Sequence, residues 1–247
     1  MDVSVHLLPK LVDPASMRGG VAVVIDILRA TTTIVHALAA NVATLIACGE
    51  IEQAREIAQQ QPAGSVLLGG ERQGKRIAGF DLDNSPLKYT PEVLAGKTLV
   101  FTTTNGTRAL ATCLEASRVL AGAFVNRQAT IDALLKDGRP VHLVCAGTDG
   151  YITTEDVLFA GSIASAIYQA TGGREAADDE TQLALALWHA TGNNPAQIRQ
   201  VLRASRGGRN LIDLGFDADI DRSSECDRFQ FAADYDKVQK QICIGAF

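Results

Sequence analysis

Along most of this chain, short β-branched apolar runs alternate with longer amphipathic segments. Runs suited to buried strands fall at Val21–Asp26, Ala43–Cys48, Ser65–Leu68, Thr98–Thr103, Arg118–Ala121 and Val141–Cys145. Helical patterns follow most of them, at Thr32–Ala40, Ile51–Gln60, Asn105–Leu114, Arg127–Lys136 and Glu155–Gln169. Such alternation predicts a three-layer α/β fold, with a mainly parallel or mixed sheet and helices on both faces. Strand order does not follow from the pattern. Between residues 174 and 214 the pattern is helical only. Glu175–Ala190 forms one helix and Pro195, well placed at a helix start, opens a second through Ala204. Gly207-Gly208 is expected to break that run. An acidic, serine-containing stretch, Asp217–Asp227, precedes a last β-like run at Val238–Ile244, which is expected to return to the sheet. The reading is a single domain over residues 1–247; if it has two lobes, Gly172-Gly173 is the candidate hinge.

Composition narrows the function classes. Hydrophobic residues make up 47% of the 247, enough for a sizeable core. A net charge of −5 argues against a nucleic-acid surface, which needs a basic patch, but leaves room for a local anion pocket. No apolar run approaches the roughly 18 residues that span a bilayer, and the opening MDVSVHLLPKLVD does not read as a signal peptide. The five cysteines are scattered, with no C-x-x-C pair, as in a reduced protein without a disulfide framework or zinc site. The expected compartment is the cytoplasm; a homo-oligomer stays open.

In open parallel sheets ligands collect beyond the carboxyl ends of the strands. Asp26 ends VAVVID and is followed by Arg29 and by Thr31, Thr32 and Thr33, which open a helix. A carboxylate there can hold a metal, while Arg29 and a helix start can meet phosphate; the plainer alternative is a helix cap. The turn Thr102–Arg108 repeats this logic, with Thr103, Thr104, Asn105 and Gly106 leading from strand to helix. Neither turn is a Walker loop. The stretch Gly69–Pro86 holds four glycines, the acids Glu71, Asp81 and Asp83, and the bases Arg72, Lys75 and Arg76. Carboxylates so placed suit magnesium, and a guanidinium suits a bidentate anion; a solvated, salt-bridged loop is the alternative. Cys145–Gly150 leads to Glu155 and Asp156 at a helix start, where acids either complement the helix dipole or serve a metal or proton transfer. The four histidines form no ligand pair.

Taken together, VVIDILRATTT (23–33), GGERQGKRIAGFDLDNSP (69–86), TTTNGT (102–107) and CAGTDGYITTED (145–156), with a weaker block SRGGRNLIDLGFDADI (205–220), resemble the 2-phosphosulfolactate phosphatase family. The resemblance implies an α/β fold with its site in a cleft. It also implies magnesium-dependent release of phosphate from a three-carbon phosphosulfonate, a reaction of coenzyme M biosynthesis. By position it points to Asp26, Arg29, Glu71, Arg72, Asp81, Asn105 and the Glu155/Asp156 pair. Where many relatives carry a cysteine, this chain has Ser223, and the tail from Arg228 onward departs from the family.

The expected mechanism gives Asp26, with Glu71 or Asp81, to magnesium. Arg29 and the Thr31–Thr32 and Thr103–Gly106 turns go to the phosphate, and Arg72 and Arg76 to a second anionic group. Glu155 or Asp156 takes the proton transfer. Two rivals stand beside this reading. One is a non-catalytic phosphoanion sensor using the same cradle. The other is a haloacid-dehalogenase-type phosphatase built on Asp81-Leu82-Asp83, which needs Asp81 at the end of a buried strand.

Overall fold

The computed structural model describes residues 1–172 and 178–245. Among these, ten strands form one mixed sheet: β1 (Val3–His6), β2 (Val21–Ile25), β3 (Thr44–Ala47), β4 (Val66–Arg72), β5 (Lys75–Arg76), β6 (Thr98–Thr102), β7 (Arg118–Gly122), β8 (Val141–Cys145), β9 (Ala233–Asp236) and β10 (Gln241–Ile244). The helices are α1 (Ala30–Ala39), α2 (Ile51–Gln59), α3 (Pro91–Leu94), α4 (Gly106–Thr112), α5 (Arg127–Asp137), α6 (Thr154–Thr171), α7 (Asp179–Thr191), α8 (Pro195–Ala204), α9 (Arg206–Asp213) and α10 (Asp217–Ser223).

The sheet order is β1-β8-β2-β7-β9-β10-β3-β6-β4-β5. Two parallel blocks, β1-β8-β2-β7 and β3-β6-β4, flank the antiparallel hairpin β9–β10. β7 is antiparallel to β9, and β10 to β3, so the two blocks run in opposite senses. Sheet twist keeps that from separating their carboxyl ends. Neighbouring strands rotate by about 20–25° each, so the five steps from β2 to β6 accumulate about 100–125°. The carboxyl ends of opposed blocks then converge on one cleft instead of pointing apart.

Burial explains why the β2 and β8 runs read so clearly. All five residues of β2 are buried, as are four of five in β8, because helices cover both faces. Phe101, Phe124 and Phe159 sit in the interior, the last two edge to face with centroids 5.1 Å apart. α8 starts as its sequence promised: Pro195 takes the first turn and Asn194 Oδ1 accepts from the amides of Ala196 and Gln197.

Three features differ from the sequence reading. Gly207 and Gly208 do not break the helical run but lie inside α9, which Ser205 caps by accepting from the Gly208 amide. These glycines serve close approach: a Cβ at Gly208 would overlap the Leu202 carbonyl, and one at Gly207 would overlap Glu155 Oε1. Next, β5 and β9 carried no strand prediction. β9, Ala-Asp-Tyr-Asp, is too polar to read as a strand, yet lies between β7 and β10. Finally, Val238–Lys240 form the turn before β10, with Asp236 Oδ1 accepting from the Val238 and Gln239 amides. The expected hinge falls partly outside the described residues, at Gly173; Gly172 caps α6 in the left-handed conformation. The expected start of the following helix, Glu175, also lies outside them.

Candidate active site

The cleft is built where four chain segments meet. β2 delivers Asp26, only 7% exposed, at its carboxyl end. The turn after it is closed by its own threonines: Asp26 O accepts from Thr31 N and Thr31 Oγ1, both 2.9 Å, and Thr32 Oγ1 donates to Ile27 O at 2.9 Å. Asp26 Oδ1 accepts from the Ala30 amide at 3.1 Å, at the start of α1. β6 delivers Thr103, Thr104 and Asn105 to the start of α4. Gly106 is required there, because a Cβ would lie 2.8 Å from Ala30 Cβ and 3.1 Å from Asp26 Oδ2. The starts of α1 and α4 thus close over one carboxylate.

β4 brings Glu71, whose Oε1 accepts from the Thr104 amide at 2.9 Å and whose Oε2 accepts from the Gly74 amide at 2.8 Å. It ties the β6–α4 turn to the tip of the β4–β5 hairpin, where Gln73 and Gly74 take φ of 53° and 75°, as a tight two-residue turn needs. The start of α6 brings Asp156, which accepts from the amides of Ile27 and Gly147, both at 2.9 Å. Glu155 lies beside it, behind Gly207, with Oε2 buried and unpartnered.

These acids sit too close and too dry to ionise together. Burial, then the Asp156 and Glu71 charges, push the Asp26 carboxyl up to about 8 against the bond from Ala30. Burial, then Glu155, push Asp156 up to about 8, and burial chiefly pushes Glu155 up to about 7. Above this floor opens a cleft of about 490 Å³, lined by Asp26, Arg29, Glu71, Gln73, Asn84, Thr104, Asn105, Asp149, Gly207 and Asn210, among others. That volume suits a small molecule. Arg29 is the one basic residue lining it among those described. Its guanidinium is nearly inaccessible, donating to Asp219 Oδ2 at 2.6 Å and to Gly74 O at 3.0 Å, and lying 4.3 Å from the centre of the Phe216 ring.

The structure therefore gathers Asp26, Arg29, Glu71, Thr103, Thr104, Asn105, Gly106, Glu155 and Asp156 in or around one cleft. It does not bring the others in. Thr31 and Thr32 are buried and spend their hydroxyls on backbone carbonyls, so they shape the Asp26 turn and do not face the cleft. Arg72 donates to the carbonyls of Glu71 and Gly49 and to Thr102 Oγ1. Exposed Arg76 reaches only the Asp81 carbonyl, and exposed Asp81 accepts from the Leu68 amide at 2.8 Å. Asp81 follows a turn, not a buried strand, which removes the geometry a haloacid-dehalogenase-type site needs. Asp219, Asn210 and Gly207 were not singled out for this site. They come from the helical region after residue 205, where no strand end marks a ligand edge.

The donor set fits magnesium. Among the described residues, no three carboxylate, imidazole or thiolate groups form a ready-made cage. Magnesium does not need one, since it takes one or two carboxylates with waters and substrate oxygens completing its shell. Asp26 and Glu71 supply two such groups facing the cleft, and the unpartnered Glu155 Oε2 shows that the acid cluster is incompletely satisfied by protein donors.

A family model described as 2-phosphosulpholactate phosphatase matches residues 6–237. The chain belongs to this family. Proteins described as "Probable 2-phosphosulfolactate phosphatase" resemble it over most of their length. One from Prochlorococcus marinus (strain MIT 9313) is 41% identical over 218 residues, 87% of this chain and 88% of its own. One from Synechococcus sp. (strain WH7803) is 43% identical over 81% of this chain and 80% of its own. One from Caldanaerobacter subterraneus is 37% identical over 84% of each. The matched span of the family model takes in all four segments that build the cleft.

Proposed function

We propose that this protein is a phosphoric monoester hydrolase that cleaves 2-phospho-3-sulfolactate to 3-sulfolactate and inorganic phosphate, with magnesium as its cofactor. Family membership supports the reaction class. The observation that carries the chemistry is Asp26, held at the end of β2 between the starts of α1 and α4 and beside Glu71. A cleft this rich in carboxylates repels an anion unless a cation stands between them, and the substrate carries three acidic groups.

Asp26 and Glu71 would hold magnesium. Bound there, the ion would supply the positive charge that the transferred phosphoryl group needs. Arg29 offers N–H groups to the same phosphoryl group; two of the five a guanidinium carries go to Asp219 and Gly74. Asp156 holds the Ile27 and Gly147 amides and so fixes the two turns that shape the floor. Glu155, raised to about 7, keeps its proton in about half of the molecules at neutral pH and is suited to deliver it to the departing alkoxide. Cys145 is not a nucleophile, because burial pushes its thiol well above the ordinary range.

The reading is tested by phosphate release from 2-phosphosulfolactate with and without magnesium. We expect release that depends on the metal and slows when the sulfonate is removed from the substrate. Tight binding without turnover would replace the enzyme with a phosphoanion sensor. We also place the protein in the cytoplasm, since all five cysteines are free and three of them are buried. No described helix is long and apolar enough to cross a membrane.

A further inference from the structure

Arg29 is anchored by a buried assembly that nothing in the proposed chemistry requires. Asp219, on α10, gives one oxygen to Arg29 Nη1 at 2.6 Å and the other to Ser85 Oγ at 2.6 Å. Both side chains of the ion pair are 2% exposed. The guanidinium is fixed on two further sides, by the Gly74 carbonyl and by the Phe216 ring. Two separate parts of the chain, the β4–β5 turn and the segment Phe216–Asp219, thus converge on one side chain at the cleft wall, with Ser85 behind them.

A buried guanidinium needs a counter-charge, because leaving it unpaired costs several kcal/mol. The usual solution is a two-pronged pair, in which both carboxylate oxygens take an N–H each. Here Asp219 Oδ2 accepts from Arg29 while Oδ1 accepts from Ser85 Oγ, so Asp219 engages Arg29 through one prong and Ser85 through the other. The consequence is chemical. Asp219 compensates the charge and sets the plane of the guanidinium while claiming a single donor, so an anion can meet the remaining donors of this 2% exposed side chain only at the cleft wall that Arg29 lines.

We propose that Asp219, held by Ser85, is a positioning residue that orients Arg29 toward the phosphoryl group of the substrate. Asp219 acts through Arg29 and makes no substrate contact itself. The proposal rests on the reading of the cleft as a phosphate site, but is tested apart from turnover, through affinity for inorganic phosphate measured calorimetrically on the full chain at fixed magnesium.

Asp219→Ala is expected to weaken phosphate binding by about 10-fold to 100-fold, by analogy with the loss seen when the hydrogen-bonded partner of a metal-ligating side chain is removed. Asp219→Asn keeps an acceptor beside Arg29 without the counter-charge and is expected to recover part of that loss. In an Arg29→Ala background, Asp219→Ala should cause no further loss, because its effect runs through the missing guanidinium. A merely structural Asp219 would lower the Tm of every variant and leave the phosphate affinity of the folded protein unchanged.

If Asp219→Ala does not fold, Ser85→Ala carries the test. Loss of the Ser85 hydroxyl leaves Asp219 held by Arg29 alone and less firmly oriented, and phosphate affinity should fall several-fold while the ion pair persists. Unchanged affinity in the folded Asp219 or Ser85 variants overturns the proposal. So does an equal loss from Asp219→Ala with and without Arg29, or a wild-type protein that binds no phosphate. Should the full cycle hold while no phosphate monoester is turned over, the positioning role stands and the hydrolase reading falls.

Discussion

Asp26→Asn should make the metal-free protein more stable at neutral pH while nearly abolishing its activity. The carboxyl is buried against Asp156 and Glu71, which with desolvation push it up to about 8 from an ordinary 3.8. Between those two values the unfolded chain ionises and the folded one keeps its proton. Stability is therefore fully present below about 4 and drains away as pH rises, by about 1.4 kcal/mol per unit for this group. At pH 7, roughly three units above the ordinary value, the ceiling on that loss is about 4 kcal/mol. Asparagine escapes it. Its oxygen can keep the Ala30 amide bond, and its NH2 would face the spot beside Gly106 that the unpartnered Thr103 hydroxyl also borders. An imperfect fit of that amide costs about 1 kcal/mol. The variant should thus be slightly less stable than wild type at pH 4 and about 2–3 kcal/mol more stable at pH 7, as read by urea denaturation with a chelator present. Its kcat should fall on the order of a thousandfold, the effect of losing a charge aimed at the reacting centre. A stability difference that does not change with pH would refute the account of the acid cluster, and an undiminished kcat would remove Asp26 from the chemistry.

Other expectations test separate parts of the argument. Magnesium affinity should rise steeply between pH 6 and 8, about tenfold per unit for each proton displaced, because binding must expel protons from acids raised to about 7 and 8; calorimetry showing a flat profile would place the ion elsewhere. Gly106→Ala puts a methyl group between Ala30 and Asp26 and should cost about 1–3 kcal/mol along with most of the activity, whereas an active, stable variant would mean that the two helix starts can separate freely. Arg72→Ala should lower Tm by removing three hydrogen bonds and leave KM within about twofold; a KM raised selectively for the sulfonate-bearing substrate over a plain alkyl phosphate would return Arg72 to the cleft. Ser223→Cys should raise Tm, because the buried Ser223 hydroxyl has no partner and an unpaired polar group costs about 1–3 kcal/mol; a lowered Tm would show that the hydroxyl is satisfied in solution.

How far the sequence could be read depended on whether a residue's neighbours were near it in the chain. β2, α2, α5, β8 and α8 were legible to within a residue or two, since an apolar run, an amphipathic period or a cap is a local signal. β9 was not, because its place between β7 and β10 depends on pairing across more than a hundred residues and its own residues are polar. The same division runs through the cleft. Asp26, the Thr103–Gly106 turn and the Glu155/Asp156 pair each follow a readable strand, so the rule that ligands gather at strand ends found them. Arg72 also ends a strand, but the direction of a side chain is set by its acceptors. The Gly49 carbonyl that holds it comes from a distant turn.

Asp219 shows why the missing part was missing. In the sequence it is one of several acids in a solvated-looking stretch, without a strand end, a glycine or a metal-ligand spacing to mark it. Its significance comes from burial beside Arg29, 190 residues away, and burial is a property of the assembled molecule. An acid that ends up dry must be protonated, bound to a cation or paired with a base. Asp26, Asp156 and Glu155 fall under the first two cases and Asp219 under the third. On the proposed reading, the cleft's acids thus divide into those kept dry for a metal, a turn or a proton transfer and one kept dry to hold the arginine assigned to the phosphate. The division is decided by a single arginine and a serine hydroxyl.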